Sequence, residues 1–257
     1  MRHAIFVIMT LLFANGCQRP SDSTATGTQA LPIWLAGDYF SGDGLGINCS
    51  LKLTTVGRFE FTWRGCLGEY DKNQGTAVFT DNVLVIEPEK PDVREGFQGT
   101  PTTFRVIRWG DRRYLVATEE LLDFCNSINQ GEEPRSRRHG NFYLQDGDWH
   151  VPISGRPALP EEWLAFLLKK PVRGRVSELV GDKQVKITLG YNDGIREGMI
   201  LTVRGTDEDF FSCQLRVIDV DETESQAEYE YYGIDETPAQ IGHLVSSRLF
   251  DYSVDEE

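Results

Sequence analysis

The stretch TFRVIRWGDRRYLVAT, residues 103–118, decides the fold class of this chain. Apolar and polar side chains alternate on both sides of Gly110-Asp111, which is the pattern of two strands joined by a tight turn. Glycine at the first central position favours a type II′ turn, whose twist matches that of an antiparallel hairpin. The stretch therefore predicts a β-hairpin within a mainly β protein.

The same pattern recurs along residues 31–157. Further paired segments are LKLTT (51–55) with FEFTW (59–63), TAVFT (76–80) with VLVIE (83–87) around Asp81-Asn82, and FYLQ with DWHV around Asp146-Gly147, a type I′ signal. Consecutive hairpins at this spacing predict an antiparallel barrel or sandwich, a meander like that of the lipocalins. Residues 31–157 are therefore interpreted as one β-rich domain.

Two helical segments interrupt the strands. The first occupies residues 118–131, with Thr118 as a candidate N-cap and Gly131 as a stop signal. The second begins at Pro160, a residue that favours the first helical position, and carries acids before its apolar face. Residues 158–171 are interpreted as a short helical connector between two domains.

From residue 172 the spacing of strands and turns changes. Alternating segments VRGRVSEL, QVKITLG, MILTVRG, FFSCQLRVIDV and ESQAEYEYY follow one another. The phrase Gly190-Tyr-Asn-Asp-Gly194-Ile-Arg-Glu-Gly198, with Ile241-Gly242-His243-Leu244-Val245 after it, resembles the small SH3-like β-barrel modules of bacterial envelope proteins. The resemblance implies a small barrel over residues 172–250 that mediates protein contacts or acts as a spacer, followed by an acidic tail at 251–257.

The N-terminus has a basic start, a short apolar core and small residues before a cysteine. Arg2-His3 precede the apolar run AIFVIMTLLFA, and Ala14-Asn15-Gly16 precede Cys17. A core of this length is typical of secretory signals and is shorter than the roughly 20 residues that span a bilayer. The layout resembles the signal peptide of bacterial lipoproteins. Residues 14–16 would also be a suitable cleavage site for the ordinary signal peptidase.

The resemblance implies that residues 1–16 are removed and that Cys17 carries the lipid. Two or more acyl chains anchor a protein stably without a membrane-spanning segment. Gln18 stands where Asp would be the inner-membrane retention signal, so the resemblance implies the outer membrane, facing the periplasm. Residues 17–30 contain no large apolar side chain and are interpreted as a flexible tether.

Charge excludes one class of partner. Removal of residues 1–16, which hold one Arg and no acid, leaves 25 basic and 40 acidic residues and a net charge of −15. The segment 172–257 alone has 8 basic and 19 acidic residues. Such a surface is repelled by a phosphate backbone, so nucleic acid is not a predicted partner.

Four cysteines follow Cys17, and pairing is expected in an oxidising compartment. The hairpin of residues 51–63 brings the chain near Cys49 and Cys66 together, so this disulfide is favoured over Cys66–Cys125. Cys213 alternates in phase with apolar neighbours and is predicted to lie in the barrel core. No Cys-x-x-Cys is present, and no zinc site is predicted.

No motif of a known catalytic site occurs in the sequence. Gly-x-Ser-x-Gly, His-Glu-x-x-His and a phosphate loop are missing, so no catalytic residue and no cofactor is predicted. His139 and His150 bracket the last predicted hairpin of the first domain. Residues 71–75 begin like a calcium loop, but Asn82 stands at the twelfth position instead of Glu, so no metal site is predicted.

The densest block of polar, aromatic and glycine residues is 37–75. Its candidates for a polar-aromatic mouth that takes a small ligand or glycan are Asp43, Asn48, Trp63, Tyr70 and Asp71. Corner and core roles in a small barrel are the alternative interpretation of these residues.

The sequence thus favours a lipid-anchored, non-catalytic interaction or structural module of the cell envelope, which contacts another envelope protein or a glycan. One alternative is a lipocalin-like lipoprotein that binds a small ligand or glycan. A second is an envelope hydrolase, which would need a cleft joining His150 to a carboxylate such as Asp71 or Asp148.

Overall fold

The computed structural model describes residues 29–42, 46–90, 101–132, 134, 142–204, 211–232 and 238–249. These residues form two closed antiparallel β-barrels, one of eight strands and one of six. The predicted mainly β class with two barrels is therefore confirmed. Cys17, Asp43, His139 and the acidic tail lie outside the described residues.

The first barrel is an up-and-down meander, as the hairpin pattern predicts. Its strands are β1 Gly37–Gly42, β2 Asn48–Leu53, β3 Arg58–Gly65, β4 Gly68–Thr80, β5 Val83–Pro88, β6 Thr103–Trp109, β7 Arg112–Ala117 and β8 Tyr143–Gln145. Each strand pairs with the next, and β8 closes the sheet on β1 through Tyr39↔Gln145 and Phe40↔Leu144. The sheet is a barrel and not a sandwich.

Two of the predicted turns are confirmed. Asp81 and Asn82 both have positive φ, 52° and 60°, as a type I′ turn requires. Trp109 pairs directly with Arg112, and Gly110 has φ of 59°, which fits a two-residue type II′ loop. Local turn chemistry therefore set the register of both hairpins.

The hairpin predicted around Asp146-Gly147 is wrong. Only Gly147 of the pair has positive φ, and residues Asp148–His150 form a 3-10 turn where a strand was expected. The reason lies on β7. The Arg113 guanidinium and backbone N–H bind the Asp148 carboxylate at 2.9–3.1 Å, and Arg112 donates to the carbonyl of Val151.

The barrel interior is filled by inward-facing apolar side chains. The largest of these are Tyr39, Phe59, Phe61, Phe104 and Tyr143. We call the end that carries residues 29–36 and the turns 54–57 and 110–111 the entry end, and the end that carries the turn 65–68 the far end. The core lies between the two ends.

The second barrel uses six short strands. They are β9 Arg173–Val180, β10 Gln184–Ile187, β11 Ile200–Arg204, β12 Phe211–Val220, β13 Ser225–Tyr232 and β14 Leu244–Ser246. They close in the order β10-β13-β12-β11-β14-β9. Cys213 is fully buried in the core, as predicted, and Gly194 and Gly198 adopt φ of 89° and 84° at turns.

Helix α1, Leu121–Asn129, follows a 3-10 turn at Thr118–Glu120. Thr118 is not an N-cap, because its hydroxyl donates to the Thr103 carbonyl at 3.4 Å instead. Phe124 and Cys125 pack against the outer wall of the first barrel. None of the helices in the described ranges has the length and apolar character to cross a bilayer.

Helix α2 spans only Glu161–Leu164, shorter than the predicted connector helix. Helix α2 ends early because the Asn129 side chain of α1 hydrogen-bonds to the backbone that would form its next turn. The Asn129 amide donates to the Phe166 carbonyl at 2.8 Å and accepts from the Leu168 N–H at 3.0 Å. These tertiary bonds take the place of the next helical turn.

A second buried asparagine on α1 joins the two barrels. The Asn126 amide donates to the Gly198 carbonyl at 3.2 Å, and its oxygen accepts from the Ile200 N–H at 3.1 Å. Asn126 and Asn129 are three residues apart, so they lie on one side of the helix, and both are buried. We call Asn126, Asn129 and their four backbone partners the asparagine joint.

Candidate functional site

The predicted mouth is built on the far end of β3 and β4. Trp63 and Asp71 are directly opposite one another in the antiparallel ladder, so both side chains lie on the same face. That face is the interior one, because Phe61 and Phe59 precede Trp63 at intervals of two and are buried in the core. Trp63 is half-buried at the rim and packs against this core.

Tyr70 reaches Trp63 because of a β-bulge. The register shifts so that Trp63 faces Asp71 while Arg64 faces Glu69, and Tyr70 is the extra residue. The Trp63 and Tyr70 rings lie 5.5 Å apart at 56°. Gly65 leaves room for this pair, since a Cβ there would stand 2.2 Å from the Tyr70 ring.

Asn48 does not join these three residues. It pairs with Arg64, one position out of phase with Trp63, so the pleat directs it to the other face of the sheet. Cys49 is the residue opposite Trp63. The structure therefore brings Trp63, Tyr70 and Asp71 together, separates Asn48 from them, and leaves Asp43 outside the described residues.

Cys49 lies on the inner face of the barrel as a protonated thiol. Burial raises the pKa of Cys49 to about 11, and a hydrogen bond with the Tyr143 hydroxyl opposes part of that rise. Burial also raises the pKa of Tyr143 well above its usual range. Two neutral groups therefore hydrogen-bond here, and Cys49 is a poor nucleophile.

The expected Cys49–Cys66 disulfide is not formed in the structure, nor is the alternative Cys66–Cys125. Cys49, Cys66, Cys125 and Cys213 are all thiols. Cys66 lies in the turn between β3 and β4, beyond the paired residue Arg64, whereas Cys49 points inward at Trp63. The ladder therefore holds the two cysteines on different parts of the hairpin.

Thiol labelling of the native protein is expected to modify Cys66 alone among these four residues. Cys66 is exposed, whereas burial raises the pKa of Cys49 to about 11 and of Cys125 to about 12. At pH 8 a thiol of pKa 11 is about one part in a thousand thiolate. Iodoacetamide treatment followed by peptide mass spectrometry measures this. Absence of label on Cys66 until a reductant is added would instead indicate a disulfide.

The hydrolase hypothesis required His150 to meet Asp71 or Asp148 in one cleft. Asp71 lies at the far end, whereas His150 belongs to the 3-10 turn at the entry end. Asp148 is buried and bound by Arg113, and the centroids of the His150 and Trp149 rings lie 3.4 Å apart, with the rings tilted by 34°. The structure does not bring the three groups together.

The far-end cluster combines aromatic and acidic side chains. Two aromatic rings and the Asp71 carboxylate offer a stacking surface and a hydrogen-bond acceptor at a half-buried rim, features that hold polar ligands such as sugars. In the described part of the chain, no three His, Cys, Asp or Glu side chains are grouped closely enough to hold a metal ion.

Sequence reasoning missed the asparagine joint. The sequence does contain a sign of it, because Asn126 and Asn129 are polar residues on the apolar side of a segment that was correctly predicted as helical. A polar side chain that must be buried needs a hydrogen-bond partner. The partners themselves are 37 to 74 residues away and could not be predicted from the local pattern.

Comparisons with known proteins name no relative. No family model, no curated protein and no solved structure matches this chain.

Proposed function

We propose that this protein is a lipid-anchored module of the bacterial cell envelope that works by contact with an envelope partner, protein or glycan, and not by catalysis. The anchor is Cys17, after removal of residues 1–16, and residues 17–30 tether the two barrels to the membrane. The lipoprotein-type start supports the anchor, and the strongly acidic mature chain argues against nucleic acid as the partner. We place the protein at the outer membrane, facing the periplasm.

The asparagine joint is the observation that carries the proposal of a structural or interaction module. Its four hydrogen bonds fix α1, the connector and the second barrel to one another. Buried side-chain bonds of this kind hold the two barrels in a constant relative position, as a rigid structural or interaction module requires. On the first barrel, the cluster of Trp63, Tyr70 and Asp71 is the surface that we assign to the partner.

Mass spectrometry of the mature N-terminus is expected to find an acylated Cys17. The Cys17→Ser variant should lose the acyl chains and move from the membrane fraction to the soluble fraction of the envelope, because acyl burial supplies the anchoring free energy. Cys66→Ser is the matched control, and it should stay with the membrane. An unacylated Cys17 or cleavage at another residue would overturn the anchor.

Crosslinking of intact envelopes followed by capture of the protein identifies the partner. Capture through wild-type protein is compared with capture through Tyr70→Ala, which removes half of the aromatic pair at the far end. We expect the crosslinked partner to be reduced in that variant. Equal capture of the partner by both proteins would show that the contact surface does not lie at the far end.

A further inference from the structure

We propose that the entry end of the first barrel rests on the surface of the bilayer, with Ile33, Val56 and Trp149 inserted at the level of the lipid headgroups. This inference rests on the proposed anchoring at Cys17 and deepens it. In this arrangement the entry end contacts the membrane, and the far end, with the proposed partner surface, points away from it.

Three large apolar side chains stand out at the entry end. Ile33 is 83% exposed, Val56 is 61% exposed and Trp149 is 48% exposed. Each lies at the tip of a turn rather than on a strand face. Tryptophan is enriched at membrane–water interfaces, where its amphipathic ring sits among the headgroups.

Hydrogen bonds place the three tips side by side. The Leu31 N–H donates to the Thr55 carbonyl at 2.9 Å, which sets the Ile33 segment beside the turn that carries Val56. On its other side, Arg113 donates to the Trp34 carbonyl and to the Asp148 carboxylate, next to Trp149. The segment of Ile33 thus lies between the other two tips.

The tip of Ile33 is already ordered before any contact is made. Leu35 and Ala36 donate their N–H groups to the Pro32 carbonyl at 2.9 and 3.1 Å, which closes the turn around Ile33. Leu31 and Leu35 are buried in the barrel core on either side. A preformed apolar tip loses little conformational entropy when it enters a membrane interface.

The tether makes a weak contact effective. The chain enters the described part of the protein at this same end, and residues 17–28 connect it to the proposed lipid. Twelve residues span at most about 40 Å when fully extended, so the lipid keeps the entry end close to the bilayer and at high effective concentration over it. Three partly inserted side chains are then sufficient to favour the docked state.

Local charge selects the lipid surface. Asp81, Asp111 and Asp146 are exposed on turns of the entry end. Of the exposed cations near them, Arg108 lies over the Trp34 ring, 5.6 Å from its centroid, and Arg58 is paired with Glu89. Carboxylates at this position are repelled by anionic headgroups and tolerate zwitterionic ones. The occupant that we assign is therefore a zwitterionic bilayer, and anionic lipid should weaken the contact.

Fluorescence quenching tests the docking with the chain from Cys17 onward, carrying an N-terminal hexahistidine tag. The tag attaches the protein to phosphatidylcholine vesicles that contain nickel-chelating lipid and lipid brominated in the acyl chains. The quenching due to Trp149 is the difference between this protein and its Trp149→Phe variant. We expect such quenching, and we expect it to be lost in the Ile33→Ser, Val56→Ser double variant and reduced by phosphatidylglycerol.

Leu67→Ser is the matched control, because Leu67 is 90% exposed at the far end. It should leave the quenching of Trp149 unchanged. The proposal fails if Trp149 is not quenched, if the double variant is quenched as strongly as the parent, or if Leu67→Ser causes the same loss. The tag replaces the lipid, so an unacylated Cys17 in the native protein would overturn the anchor without affecting this result.

Discussion

Asn126→Ala is expected to lower the free energy of unfolding by about 2–4 kcal/mol and to uncouple the two barrels. The substitution leaves the Gly198 carbonyl and the Ile200 N–H without their side-chain partner at a buried interface. Each buried polar group that loses its partner costs about 1–3 kcal/mol. Calorimetry should show one thermal transition in the wild-type protein and two in the variant.

Ser127→Ala is the control for this prediction, since Ser127 is the next residue on the same helix and is only half-buried. Its effect should stay within about 0.5 kcal/mol. A single transition with unchanged midpoint in Asn126→Ala would show that the joint does not couple the barrels. The proposal of a fixed two-barrel module would then lose its main support.

Gly75→Ala is expected to destabilise the first barrel by about 3 kcal/mol. Gly75 lies on β4 facing the interior, and a Cβ there would stand 1.9 Å from the Glu87 carbonyl oxygen and 2.7 Å from the Phe59 ring. Neither neighbour can move away, because the Glu87 carbonyl belongs to the backbone of the paired strand β5 and the Phe59 side chain is fully buried. Urea unfolding followed by near-UV circular dichroism measures the loss.

The matched substitution is Gly155→Ala. No atom lies within 4 Å of a Cβ at Gly155, so its cost is limited to the strain of a side chain at φ of 69°, about 1 kcal/mol. Destabilisation by Gly75→Ala no greater than that by Gly155→Ala would mean that the closeness of β5 and Phe59 does not explain the glycine at position 75.

The parts of the fold that could be predicted depend on neighbours in sequence. Asp81-Asn82 and Gly110-Asp111 specify their turns locally, and alternation then directs the side chains of both hairpins. The strand predicted over residues 148–151 failed because Arg113, 35 residues away, captures Asp148. The connector helix ended early for the same kind of reason, since Asn129 binds its backbone from another element.

The candidate site was predictable in part. The alternation of residues 59–63 puts Trp63 in phase with Phe59 and Phe61, and in the structure all three lie on the interior face of the sheet. What the alternation could not show is the bulge at Tyr70, because one inserted residue changes the face of everything beyond it. The separation of Cys66 from Cys49 has another cause, since Cys66 lies in the β3–β4 turn beyond Arg64 while Cys49 is opposite Trp63.

The closure of the first barrel also determines how the protein bears mechanical load. A pull on the N-terminal chain acts along β1, which is hydrogen-bonded to β2 over six residue pairs and to β8 over two. The ladder bonds run perpendicular to the strands, so this force shears all the pairs together and does not peel them apart one at a time. The strand nearest the tether is thus held in the geometry that best resists extraction from the sheet.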